Sequence, residues 1–195
     1  LKPQFSHNVV IDDKVYITNQ SDKIFQDIKF GADTMNNNGC AVMATYNLIR
    51  FLNINMKLVE IIYYYEKRNL VFGGLGVWPS HMKKLFTILQ IDYDTSIKVE
   101  DLKYYTLNKY KCFITTYFNY RWNPNTSNPN INYVLSAHTT AWLPLNKYRY
   151  EYKNGLSIDT NKIYEVNGWF GASNSIDQNI NNASNAKLIS VFGIK

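Results

Sequence analysis

The chain has 195 residues, 46% hydrophobic and 18% charged, enough to fill one domain over 1–195 and too apolar for a disordered chain. Its formal charge of +6 suits an anionic surrounding such as a cell-surface polymer, yet the positive residues are scattered. Lys67-Arg68 and Lys83-Lys84 are the densest pieces, which argues against a nucleic-acid footprint. No apolar stretch approaches the roughly 20 residues of a spanning helix.

Residues 1–35 are polar and mixed, with one strand expected at Val15-Tyr16-Ile17-Thr18. Met35-Asn36-Asn37-Asn38-Gly39 reads as a turn, because Asn and Gly tolerate left-handed backbone cheaply. From Cys40 the pattern changes: Ala41, Ala44, Leu48, Ile49 and Leu52 fall at helical spacing and predict a helix over 40–53. A second helix is expected over 57–68, ended by Gly73-Gly74-Leu75-Gly76 and a substrate-side loop through Trp78. Ser80 is positioned to cap a third helix carrying Met82, Leu85, Phe86 and Leu89, and a short amphipathic piece is expected near 99–108.

The character then turns to strand. Cys112 to Phe118 is β-branched and aromatic, followed by a polar loop over 119–132 and strands over 133–145 and 148–152. Asn154-Gly155 is a tight-turn signal, and strands at 163–166 and 188–192 complete the set. Helices first and strands last predict an α+β fold with an antiparallel sheet.

A thiol attacks carbonyl carbon as its thiolate, and a helix N-terminus or a nearby imidazolium lowers its pKa. Gly39-Cys40 at a helix start supplies the first condition, and the free N–H groups there suit an oxyanion. Of the three histidines, His7 lies in the irregular N-terminal stretch and His81 at a helix start. His138, inside the strand Ser136-Ala137-His138-Thr139-Thr140, is the better base. Asn167, just past the strand 163–166, is placed to orient that base, with Trp169 two residues on.

This order of Cys40, His138 and Asn167-Gly168-Trp169 resembles the papain-like cysteine peptidase superfamily. Within it, Gly39-Cys40 and the compact length look most like the bacterial double-glycine-leader peptidases and their relatives. The resemblance implies a papain-like architecture with an N-terminal helical half and a C-terminal antiparallel β half. It implies Cys40 as nucleophile, His138 as base and then acid, Asn167 as orienter and Trp169 as a shield for the Asn–His pair. It implies a peptide or protein substrate and no cofactor. That family commonly places an oxyanion-hole glutamine six residues before the cysteine, where this chain has Thr34, so Gln26 or Asn36 to Asn38 would supply the donor. Gly39, Trp78, Trp142, Trp169 and Phe170 are the further candidates for substrate contact.

Against this stand plainer readings. Free cysteines are usually buried core residues, and Cys112 on its apolar strand is read so. A Cys40–Cys112 disulfide is the alternative that leaves His138 and Asn167 without a role. No His or Cys pair has metal-ligand spacing, so no metal is expected. Two other functions stay open: a different acyl transfer (deamidation, peptidoglycan amide cleavage or transamidation), or a catalytically silent papain-like domain that binds a partner. The chain opens on Leu1, which fits an exported form with its signal removed, secreted or held at the cell surface.

Overall fold

A computed structural model describes residues 16–17, 19–68, 70–71, 76–97, 109–122, 133–144, 163–166 and 186–195. The hairpin β1 (Lys29–Phe30) and β2 (Asp33–Thr34) leads into α1 (Met35–Asn38), α2 (Cys40–Phe51), α3 (Leu58–Lys67) and α4 (Pro79–Ile88). The strands follow: β3 (Tyr93–Asp94), β4 (Cys112–Trp122), β5 (Tyr133–Pro144), β6 (Ile163–Val166) and β7 (Ala186–Ile194). They form one sheet in the order β3-β7-β4-β5-β6, and every described pairing is antiparallel. The protein is therefore α+β, with helices preceding the main sheet.

The centre of the fold is α2, whose residues Cys40 to Ile49 are all buried. A helix buried on every side needs polar groups that are satisfied internally. Thr45 meets that need by donating to the Ala41 carbonyl at 2.7 Å and lying 3.3 Å from the Tyr65 hydroxyl of α3. The sheet offers α2 one face, where Cys112, Ile114, Ala141, Leu143, Phe192 and Ile194 join the helices in the main core. Strand alternation sends Phe113, Trp142 and Val191 to the far face, where Ile97 and Tyr110 join them in a second small core.

Element boundaries depart from expectation where local chemistry decides. Residues 35–38 are a helical turn rather than a left-handed one: the Gly39 N–H donates to the Met35 carbonyl at 2.9 Å and Gly39 has φ −83°. The helix α4 begins at Pro79, with Trp78 as the flanking residue, and Ser80 lies inside its first turn. Proline at that position lacks an N–H that would be unpaired anyway, so it opens the helix without a side-chain cap. In α3 the cap is reciprocal in part, with the Lys57 N–H donating to Glu60 Oε2 at 2.6 Å.

The expected strand at 15–18 is not one at Tyr16 and Ile17, and the Ile17 backbone pairs instead with the Asn47 side chain. Strand β4 extends to Trp122, into the expected loop, because β5 pairs with it out to Tyr133. Short β3 was not expected; it pairs with the end of β7, and two residues carry too little periodicity to read. The expected pieces at 99–108, 148–152 and 154–155 lie outside the described residues.

Asp94 closes the far-face corner. Its carboxylate accepts from the Ser96 hydroxyl at 2.7 Å, the Tyr110 hydroxyl at 2.7 Å and the Ser96 N–H at 2.8 Å. These donors, with Lys109 nearby, hold it well below the usual carboxylate range. A depressed folded-state pKa contributes stability that is complete above the unfolded value of about 4 and is lost as pH falls below it. Asp94→Asn should therefore lower the melting temperature at neutral pH. The gap to the wild type should close in acid, as thermal melts at both pH values would record.

Candidate active site

The site is built at the junction of α1 and α2. Met35 is fixed by its N–H, which donates to the Ile28 carbonyl at 2.7 Å, and its own carbonyl receives the Gly39 N–H. A Cβ on Gly39 would lie 2.4 Å from that carbonyl and 2.7 Å from the Met35 methyl carbon, so glycine is required here for space, not for its φ. Asn38 is buried, and its amide donates to the Phe30 carbonyl at 3.2 Å, tying the junction to the β1–β2 hairpin.

Gly76 braces the junction from the other side. It has φ +71°, and a Cβ there would meet the Asn38 carbonyl oxygen at 2.4 Å. Gly76→Ala thus forces a left-handed conformation costing about 1–2 kcal/mol and drives a methyl group into backbone two residues before Cys40. The expected result is a lower melting temperature together with altered alkylation of Cys40, both measurable on the same preparation.

Cys40 is the first residue of α2 and only 6% exposed. Burial pushes its thiol up from the ordinary value, opposed in part by Thr139 and by the N–H groups of Ala41 and Cys40. Thr139 is itself buried, and its hydroxyl lies 2.9 Å from that of Thr116 on the neighbouring strand. The first residue of α2 is therefore seated on β5 at position 139.

His138 is adjacent in sequence to that contact but on the opposite side of the strand. The β4–β5 register is unbroken from Phe113↔Trp142 to Trp122↔Tyr133, so alternation holds throughout. Thr139 and Ala141 face α2, whereas the buried His138 ring stacks edge-on with Tyr117 at 5.8 Å between centroids. The groups named as lowering the Cys40 thiol are Thr139, Ala41 and its own N–H.

The remaining candidates are distributed as follows. Asn167, Trp169, Phe170 and His7 lie outside the described residues. His81 has Nδ1 2.7 Å from the Leu70 carbonyl, an anchoring contact between α4 and the chain before it. Gln26 is exposed, with its amide 3.5 Å from the Ser21 carbonyl, whereas Gln20 donates to the Asn36 carbonyl at 2.7 Å and so reaches α1. Trp78 is half-buried at the start of α4. Trp142 is buried on the far face with its indole N–H donating to Thr115 at 2.7 Å, so it is not a wall on the Cys40 side.

Cys40 and Cys112 are both free thiols, and burial drives Cys112 far up, as fits a core residue. Among the described residues no group of three or more His, Cys, Asp and Glu side chains is placed to hold a metal ion. No helix among them is long and apolar enough to cross a membrane.

Sequence reasoning missed Thr139, Thr116 and Gly76. The visible signal for the threonines was a pair of Thr-Thr dipeptides, Thr115-Thr116 and Thr139-Thr140, on strands predicted to be neighbours in an antiparallel sheet. The chain matches no family model, no curated protein sequence and no solved structure.

Proposed function

We propose that this chain is a papain-like thiol hydrolase that cleaves a peptide or isopeptide bond through a thioester on Cys40. The observation that carries the reading is the place of Cys40, buried at the start of the central helix α2, whose residues share the main core with the antiparallel sheet. Element order supports it, since a cysteine-bearing helix packed on a later antiparallel sheet is what the superfamily resemblance implies. A further support is the irregularity in β7, which carries one extra residue, Ile189, opposite Thr116 and Tyr117 at the level of the thiol. Such bulges re-aim side chains and are common beside active sites.

In the proposed reaction the neutral thiol loses its proton to His138 as sulfur attacks the carbonyl carbon. The imidazolium then protonates the leaving amine, and water releases the acyl group from Cys40. The N–H groups at the start of α2 receive the oxyanion. Described pairing of β5 with β6 ends at Ala141↔Val166, and His138 lies beyond it. The reading requires its side chain to move past that strand edge when substrate binds. Asn167 would orient the ring. An exported or cell-surface setting, with the positive charge held near an anionic polymer, belongs to the same reading.

One observation favours a second reading. Burial raises the Cys40 thiol above its ordinary value, as expected of a catalytically silent papain-like domain that binds a partner. A peptidyl vinyl sulfone and a mixed peptide library separate the two. An adduct on Cys40 at neutral pH with peptide fragments that have gained water supports hydrolysis. Mass gain without scission would point to deamidation instead, and absence of any adduct together with intact peptides would leave the binding domain.

A further inference from the structure

Asn38-Gly39, immediately before Cys40, is one of three Asn-Gly pairs in the chain, the others lying at 154–155 and 167–168, outside the described residues. Such a pair carries its own chemistry. The glycine nitrogen attacks the side-chain carbonyl carbon of the asparagine, and the bond to the side-chain nitrogen breaks. Ammonia leaves with the proton that the glycine nitrogen gives up. The five-membered imide then takes up one water at either carbonyl, leaving aspartate or isoaspartate. Glycine favours the first step, because no Cβ hinders its nitrogen or restricts the backbone around it.

The fold demands this pair yet holds both of its reacting groups. A Cβ at 39 would lie 2.4 Å from the Met35 carbonyl oxygen, so no larger residue fits. Asparagine serves at 38 because its amide donates to the Phe30 carbonyl at 3.2 Å, which keeps the carboxamide on the β1–β2 hairpin. The attacking nitrogen is committed elsewhere. Asn38 ends the helical turn α1, and the Gly39 N–H runs back along it to the Met35 carbonyl at 2.9 Å. Helical backbone thus aims the nitrogen away from the side chain it would attack. Asn38 is 2% exposed, which keeps from it the water that the second step consumes.

We propose that Asn38-Gly39 is a modification site closed by the folded junction and opened by its release, where imide formation turns a transient opening into permanent loss of the start of α2. Isoaspartate routes the main chain through the side-chain carboxyl, lengthening it by one carbon two residues before Cys40. Aspartate sets a carboxylate against the Phe30 carbonyl, two buried acceptors with no proton between them. Neither product re-forms the junction. The inference holds whether or not Cys40 is a nucleophile.

The test is incubation of the full chain at mildly alkaline pH, with peptide mass mapping for exchange of amide for carboxyl at every Asn-Gly pair. In urea above the unfolding midpoint all these pairs should convert at similar rates, since each then has only its local sequence. In the folded chain Asn38 should convert about tenfold more slowly than in urea, or slower still, because the reaction waits for local opening. Gly76→Ala, which presses a methyl group onto the Asn38 carbonyl, should raise the folded-state rate at Asn38 several-fold. Gln20→Ala frees the Asn36 carbonyl of α1 by a milder change and should raise it less; it decides the matter if Gly76→Ala does not fold. Asn38→Asp, one of the two products, should melt below the wild type.

Equal rates at Asn38 in the folded and unfolded chains would show that the junction closes nothing, and would overturn the proposal. A folded-state rate unmoved in the folded variants would overturn it too, as would an Asn38→Asp chain as stable as the wild type.

Discussion

Cys40→Ala is expected to abolish turnover, by about 10⁴-fold or more, while leaving the fold in place. On the proposed reading Cys40 has no substitute thiol, since Cys112 is fully buried within the main core. Structurally the change is small. It removes one sulfur from a site only 6% exposed and leaves a small cavity that the better helix propensity of alanine partly offsets. Together these keep stability within about 1 kcal/mol of wild type, a melting shift of about 2–4 °C for a domain this size. Thr139 retains Thr116 as its hydroxyl partner in the variant. Cys40→Ser should be equally inactive, because a serine hydroxyl is a far weaker nucleophile without strong activation. Retained scission in Cys40→Ala, measured on the same peptide mixture, would sink the hydrolase reading outright.

The α+β class and most of the long elements were legible in the sequence because they rest on periodicity. The run Cys40 to Ile49 repeats at helical spacing and folds as the central helix. Likewise Ile163 to Val166 is a strand with the bounds expected. What failed was local. Asn-rich residues 35–38 read as a turn from propensity, but the Ile28 carbonyl and the Gly39 N–H recruit both ends of the segment into a helical turn. Propensity is a weak prior when the flanking backbone supplies partners.

The site was legible only as an order of residues along the chain. Sequence placed Cys40 on a helix and His138 on a strand, and the helix start does meet that strand. It met it at Thr139, one residue along. A shift of one residue on a strand exchanges faces, so which of two neighbours points at the sulfur depends on sheet register, and one sequence does not carry that. The need for glycine at 39 and 76 depends likewise on the Met35 and Asn38 carbonyl oxygens, each 2.4 Å from where an added Cβ would lie, a neighbourhood that exists only once the chain is folded.

Asn47 carries the largest expected stability effect. It lies in the buried stretch of α2, and its amide forms both bonds of a strand-like ladder with one residue. Its Oδ1 accepts the Ile17 N–H at 2.8 Å, and its Nδ2 donates to the Ile17 carbonyl at 2.9 Å. Ile17 is itself buried, so losing the amide strands a donor and an acceptor at once. Asn47→Ala should cost about 3–4 kcal/mol, read as a lower midpoint in urea with an unchanged slope. Asn47→Asp keeps the acceptor and loses the donor, so it should fall between. Asn47→Leu should be no better than alanine, because an apolar side chain leaves both backbone groups unpaired. A loss below about 1 kcal/mol in Asn47→Ala would mean that water satisfies Ile17 and that the clamp is dispensable. The consequence should reach the thiol, because the segment that Asn47 pins continues to Gln20, whose amide holds the Asn36 carbonyl. Proteolysis of the N-terminal segment in Asn47→Ala should therefore rise together with alkylation of Cys40. The two should not move separately, since both follow from release of the same stretch of backbone.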